Sequence, residues 1–177
     1  MPTPIRTDNL ATLYDQPDMD WSRAEEALAR DLPNAATAAF LVTVGADGRP
    51  HAAGIGPALC DGEIYITSGL AARKSRNLAR DPRCALAVRL EGLDLTLEGR
   101  AERVTDDATL TAVAAHYAEG GWPASADLDA KAIAAPHSAQ SAGPGPWQLY
   151  RFTVEKAVGV ATAEPSSASR WTFATPA

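Results

Sequence analysis

IYITSGLAARKSRNLARDP, residues 64–82, packs a strand, a turn and a helix into one short stretch, and its reading decides the fold. Ile64 to Thr67 has the β-branched and aromatic content of a strand. Thr67, Ser68 and Gly69 fall where that strand ends, and the helix after them carries Arg73, Lys74, Arg76 and Asn77. Asp81-Pro82 stops the helix. Hydroxyls, free backbone N–H groups, the positive end of a helix dipole and two adjacent cations make a cradle for a phosphate. The plain alternative for Arg73 and Lys74 is a pair of solvated charges on a surface helix. Arg76 and Arg80 read as solvent-facing partners for carboxylates.

On the N-terminal side, Ala38–Val44 reads as a strand. Gly45-Ala46-Asp47-Gly48 turns the chain, and Arg49–Pro57 returns as the second arm of a hairpin. Asp61-Gly62 turns into the strand that opens the quoted stretch. Further upstream, residues 1–20 read as an irregular arm, and Ser22 with Glu25 as a capping box opening a helix over Ser22–Leu32. On the C-terminal side, Cys84–Arg89 is a strand and Leu93–Val104 another, with Leu93, Leu95 and Leu97 on one face and Asp94, Thr96 and Glu98 on the other. Thr105-Asp106-Asp107 caps a helix whose Leu110, Val113, Ala114 and Tyr117 share a face. Residues 119–146 are rich in Gly, Ala, Ser and Pro, and read as a long loop or lid with a weak helical turn near Leu128–Ile133. Trp147–Val154 and Ala157–Thr162 read as two strands, and Glu164–Ser169 as a polar loop before Arg170-Trp171-Thr172-Phe173. Many antiparallel strands with peripheral helices predict a mainly β domain, a small barrel spanning 1–177.

Composition bounds the function. The 177-residue chain carries a net charge of −6, without the basic excess of a general nucleic-acid binder. No run of about 18 apolar residues predicts a membrane span. The polar N-terminal stretch lacks a signal-peptide core, and Cys60 and Cys84 make no disulfide framework, so a reduced, cytoplasmic protein is expected. No His, Cys and carboxylate spacing predicts a metal site. Cys60 and Cys84 read as small buried apolar groups.

Four segments in order, LVTVGADGRPHAAGIGPA, GEIYITSG, RKSRNLARDPRCALAV and LEGRAERV, carry a resemblance. They resemble the pyridoxamine 5′-phosphate oxidase-like split β-barrel flavoproteins, including the branch that binds the deazaflavin coenzyme F-420. The resemblance covers about Phe40–Val104, returns more thinly over Trp147–Phe173, and spans just over half the chain. It implies a six- or seven-stranded antiparallel split β-barrel of the FMN-binding type, and a homodimer with two cofactor sites at its interface. It also implies FMN or coenzyme F-420 as cofactor, with a small molecule as substrate. Position by position, the strand Pro50–Pro57, with His51, Gly54, Ile55 and Gly56, lays its backbone along the ring. Thr67 and Ser68 meet the phosphate or ribityl chain, Arg73 and Lys74 hold the phosphate, and Asn77 supports them. Asp94 falls where the oxidases place a glutamine against the ring, and Arg170, with Trp171 beside it, near a terminal arginine that reaches the partner subunit's site. The short tail SRWTFATPA departs from the arginine- and tryptophan-rich tail of the true oxidases, which weighs against vitamin oxidase activity.

The residues leave alternatives open. His51 fits a donor to a flavin carbonyl or a strand-end histidine bonded to backbone. Gly54 and Gly56 weaken a strand unless something flat approaches it, or they mark a bulge. Trp122, Trp147 and Trp171 fit the wall of a ring pocket or ordinary packing. No residue set supports acid–base or nucleophilic chemistry, as expected where a cofactor carries the hydride. The two functional expectations are a flavin- or deazaflavin-dependent oxidoreductase and a non-enzymatic carrier of the same cofactor.

Overall fold

The structure is a computed structural model that describes residues 1–139 and 142–174. Positions 140 and 141 of the expected loop and the last three residues of the tail lie outside the described residues.

The hairpin is as the turn signals require: β2 (Ala39–Val44) pairs antiparallel with β3 (Pro50–Gly54), with Gly48 at φ +78° in the turn. A short β4 (Ala58–Cys60) then pairs with β5 (Glu63–Gly69), and α2 (Arg73–Arg80) follows. Next come β6 (Arg83–Leu90), β7 (Leu93–Val104) and α3 (Asp107–Glu119), the helix capped by Asp106, whose carboxylate accepts from Thr109 N at 2.8 Å. The longest strand is β10 (Trp147–Ala161). The sheet runs β4–β5–β10–β7–β6–β2–β3, antiparallel throughout. Its two edges, β3 and β4, are consecutive in the chain but not paired with each other. The sheet therefore curls without closing, and the opening at Ile55–Pro57 is the split of the barrel.

Four expectations need correction. The two final strands are one, β10, with a register shift between Val154 and Lys156. Charged Glu155-Lys156 imitates a turn, but the irregularity is a bulge that bends the strand. Glu155 O there accepts from Phe173 N at 2.9 Å. Gly99 is on the facing strand, where a Cβ would sit 1.9 Å from Thr153 O, so only glycine lets the strands approach. Secondly, the N-terminal arm is not irregular throughout: β1 (Arg6–Asn9) pairs with β11 (Ala168–Thr172), which also takes up the expected terminal segment. Thirdly, α1 spans Trp21–Asp31, and its cap is Asp20, accepting from Ser22 N at 2.8 Å, in place of the Ser22–Glu25 box. The helix starts early because Trp21 packs edge-on to Trp171 and Phe173, at 5.1 and 4.9 Å. Finally, the stretch near Leu128–Ile133 is not a helical turn but part of a small hairpin, β8 (Ser125–Asp127) with β9 (Ala132–Ala134), joined to β10 at Ile133 and Trp147. Burial of Ile133 decides this over local composition.

Two cores result. The main one fills the barrel under α1, with Leu28, Leu41, Leu86, Leu97 and Trp171. The second lies outside β5 and β10 under α3, with Tyr65, Leu110, Val113, Ile133 and Leu149. The outer face of β2, β6, β7 and the C-terminal half of β10 is covered by no element among the described residues: Phe40 is 49% and Val160 46% exposed. No helix among the described residues is long and apolar enough to cross a membrane.

Candidate functional site

Strand β5 delivers the chain to α2. Ala72, the residue before the helix, is extended (ψ 145°) and gives no side-chain cap. An α-helix leaves its first amides without internal partners. Here Arg73, Lys74 and Ser75 have none for theirs among the described residues. Arg73 is exposed, and its guanidinium reaches the β2–β3 turn, with Nη2 3.5 Å from where a Cβ on Gly45 would stand. Lys74 is half-buried, and burial pulls its ammonium below the ordinary lysine value. Neither cation has a carboxylate partner among the described residues. Arg76 and Arg80 do not pair with carboxylates either; they donate to Ala71 O and Val44 O.

The strand beside this helix start is an edge. Gly45 N donates to Arg49 O and Ile55 N to Ala39 O, which fixes the alternation of the ladder. His51, Ala53 and Ile55 therefore bond to β2, while the amides and carbonyls of Ala52 and Gly54 face out of the free edge. Gly54 and Gly56 have open space where a Cβ would go, and neither has a positive φ. The chain's own packing does not demand glycine at either position. His51 and Ile55 share the face of Thr43, towards α2, and are about 13 Å apart along the strand. The uncapped helix start thus stands beside a bare strand edge, and the two glycines leave space open along it.

Five expected site residues have side chains that are engaged with other groups or turned away from the helix start and the β3 edge. Ser68 is buried with its side chain on the barrel side of β5, opposite in face to Thr67. Ser75 Oγ is 2.7 Å from both Ser68 Oγ and Gly69 O. Ser75 has one hydroxyl proton; if it goes to the carbonyl, Ser68 supplies the proton between the two oxygens. The pair pins the helix start to the strand end. Asn77 is buried, and its Nδ2 donates to Thr43 Oγ1 at 2.9 Å, fastening α2 to β2. Asp94 is held by Arg89 across the β6–β7 ladder, Nε to Oδ1 at 2.8 Å and Nη2 to Oδ2 at 2.9 Å, which keeps its carboxyl below the usual range. Arg170 lies on β11 opposite Val158, exposed on the outer sheet face. Trp171 is fully buried in the main core, against Trp21, under Gly159. The tryptophan wall also divides: Trp122, packed against the second core, meets Trp147 edge-to-face at 5.6 Å, while Trp171 lies in the main core. Thr67 is part-exposed on the α3 side, near the Tyr117 hydroxyl. Cys60 and Cys84 are free thiols pushed up by burial, Cys84 to about 12.

Removing the Asn77 amide tests its fastening role. Asn77→Ala leaves the buried Thr43 hydroxyl without its donor and is expected to destabilise the fold by about 1–3 kcal/mol, read by urea denaturation.

One further cation, not singled out in the sequence, lies near the helix start. Arg103 lines a cavity of about 560 Å³ beside the α2 start, with Gly69, Ala72 and Gln148. Its signal was present in the sequence. It falls on the parity of Leu95, Leu97, Gly99 and Ala101, a cation on the inward face of β7.

The family pattern described as pyridoxamine 5′-phosphate oxidase matches residues 25–161. Among curated proteins none matches the sequence. Of the solved structures, a conserved hypothetical protein from Mycobacterium tuberculosis is 25% identical with a TM-score of 0.55, over 80% of this chain and 86% of that one. A pyridoxamine 5′-phosphate oxidase-related, FMN-binding protein from Nostoc punctiforme is 15% identical with a TM-score of 0.57, over 89% and 98%. A heme-binding protein from Mycobacterium smegmatis is 22% identical with a TM-score of 0.53, over 81% of this chain and 56% of its own. At the identities of the last two, the likeness is one of fold.

Proposed function

We propose a function from one premise: the chain belongs to the pyridoxamine 5′-phosphate oxidase family. It binds a phosphorylated flavin, FMN or the deazaflavin coenzyme F-420, in the slot between β3 and the start of α2, and transfers hydride to or from a small organic molecule. The observation that carries this reading is the uncapped α2 start, with Arg73 and Lys74 free of carboxylates among the described residues, beside a bare strand edge.

The residues present suit such a group. The amides of Arg73, Lys74 and Ser75 and the two cations hold the phosphate. Ala52 and Gly54 offer amides and carbonyls to the polar rim of a planar ring, and His51 stands on the same strand. Gly54 and Gly56 let that ring approach the backbone. Thr67 meets the ribityl chain from the end of β5. Bound there, the cofactor supplies the hydride chemistry, and the protein supplies position and electrostatics.

A second copy of the chain completes the reading. The open face with Phe40 and Val160 is the surface for a homodimer, and Asp94 and Arg170 lie on that face. Any contribution of theirs goes to the partner's site rather than their own.

Titrating the purified protein with FMN and with coenzyme F-420 by calorimetry tests the reading; micromolar or tighter binding of one of them is expected, and binding of neither would overturn it. Hydride transfer separates from carriage when the reduced, loaded protein is offered a panel of quinones and unsaturated carbonyl compounds. The slot also predicts that Gly54→Val folds as well as the parent, because its side chain enters open space. That variant is expected to bind the cofactor at least about 10-fold more weakly, because the same space is where the ring lies.

A further inference from the structure

A second cavity, of about 200 Å³, begins where the slot ends. Ile55 and Gly56, at the far end of β3 from Arg73, form one wall. The loop after α1 forms another with Ala35, and α3 and its continuation close it with His116, Tyr117 and Trp122. None of the residues lining it is Asp, Glu, Lys or Arg, although 21% of the chain is charged. Tyr117 and Trp122 meet edge-to-face at 5.1 Å, giving a rigid aromatic side. The indole nitrogen of Trp122 is committed to His137 O at 2.6 Å, so it offers the cavity only its ring. Tyr117 Oη reaches Gly56 O and Tyr65 O only at 3.5 Å. The His116 ring is half-buried and makes no hydrogen bond among the described residues.

From this we infer that the cavity is the subsite for the reacting small molecule, a neutral planar carbonyl compound of one or two rings, with His116 donating a hydrogen bond to its carbonyl oxygen. The inference rests on the slot being the cofactor site, since only then does the cavity adjoin the ring. Each property of the ligand answers one of the lining. Desolvating a charge against uncharged walls is costly, so the ligand is neutral. Flat rings pack on the edge-to-face pair, so it is planar. An enclosed cavity of about 150 Å³ takes benzene, and this one, of about 200 Å³ and open to solvent at its Ala35 rim, has room for one ring or a compact fused pair. Among the described residues the lining side-chain nitrogens without a hydrogen bond are those of the His116 ring and the Asn34 amide; His116 is the half-buried one, so the ligand carries an acceptor.

The test is a titration of the protein with menadione, a neutral fused-ring dione, read by quenching of tryptophan fluorescence, with no cofactor added. Saturable quenching is expected. Ala35→Phe, an exposed position at the cavity rim, is expected to weaken it at least 10-fold while FMN or coenzyme F-420 binding is unchanged. His116→Ala is expected to weaken it about fivefold, the scale of one hydrogen bond. The charged analogue 1,2-naphthoquinone-4-sulfonate is expected not to compete. Equal menadione affinity in Ala35→Phe and parent, or equal affinity for the sulfonate, would overturn the inference. If the flavin binds and menadione does not, this inference fails alone. If menadione binds as described and neither cofactor does, the cavity stands and the cofactor reading fails.

Discussion

The double variant Arg73→Ala, Lys74→Ala is expected to lose cofactor affinity by at least about 100-fold, since a charge-assisted bond to phosphate is worth roughly 1.5–3 kcal/mol and two are removed. The fold is expected to survive. Neither side chain has an ion-pair partner to orphan among the described residues, and α2 remains fixed by Ser75 on Gly69 and Asn77 on Thr43. The denaturation midpoint without ligand should hold or rise slightly, because burial disfavours the charged form of Lys74. The sign of its pH dependence follows from the same cause. A base whose folded value lies below that of an ordinary lysine sheds its proton early, and the unliganded fold is relieved of a buried charge as pH rises past that point. Phosphate binding needs the charged form, so parent affinity should be flat near neutrality and fall on the alkaline side before an ordinary lysine would titrate. Calorimetry across pH checks this. A double variant that retains parent affinity would refute the cradle.

Trp171→Ala is expected to cost about 3–5 kcal/mol, the range for emptying a buried aromatic site, which is a large part of a typical domain's stability. Trp171 has no exposed surface, meets Trp21 at 5.1 Å, and sits so tightly under Gly159 that a Cβ there would come within 2.8 Å of its ring. Its loss removes the contact that joins α1 to β11, and the void cannot collapse because both are held in place by their own ladders and caps. Urea denaturation measures the loss. A variant of unchanged stability but lost cofactor binding would return Trp171 to the site and refute its core role.

Most of the fold was legible in local signals. Gly48 and the Asp61-Gly62 turn mark real turns, the Leu93-Leu95-Leu97 alternation marks a half-buried strand, and Asp106 is the cap of α3. The errors share one cause. Trp147–Val154 and Ala157–Thr162 read as two strands, residues 1–20 as an irregular arm, and Leu128–Ile133 as a weak helical turn. In each case long-range ladder bonds or a buried side chain outweighed weak local preference. At the site, residue type was legible but direction was not. Thr67 and Ser68 are neighbours in a strand, and neighbours point to opposite faces. Which one meets a ligand depends on which side the barrel interior lies. Asn77 and Trp171 have the chemistry of ligand contacts, and their burial turned them into fasteners of the core.

The sequence by itself determined that this chain is an antiparallel β domain of this family, with Arg73 and Lys74 at the start of a short helix after a hydroxyl-bearing strand. Those properties depend on periodicity, turn chemistry and spacing along the chain. The tertiary structure alone decided that β3 is a free edge beside the start of α2, that Asp94 is tied to Arg89, that Arg170 lies on the open face, and that His116 and Trp122 close a cavity beside Gly56. Each of these joins residues far apart in the chain, and only packing brings such residues together.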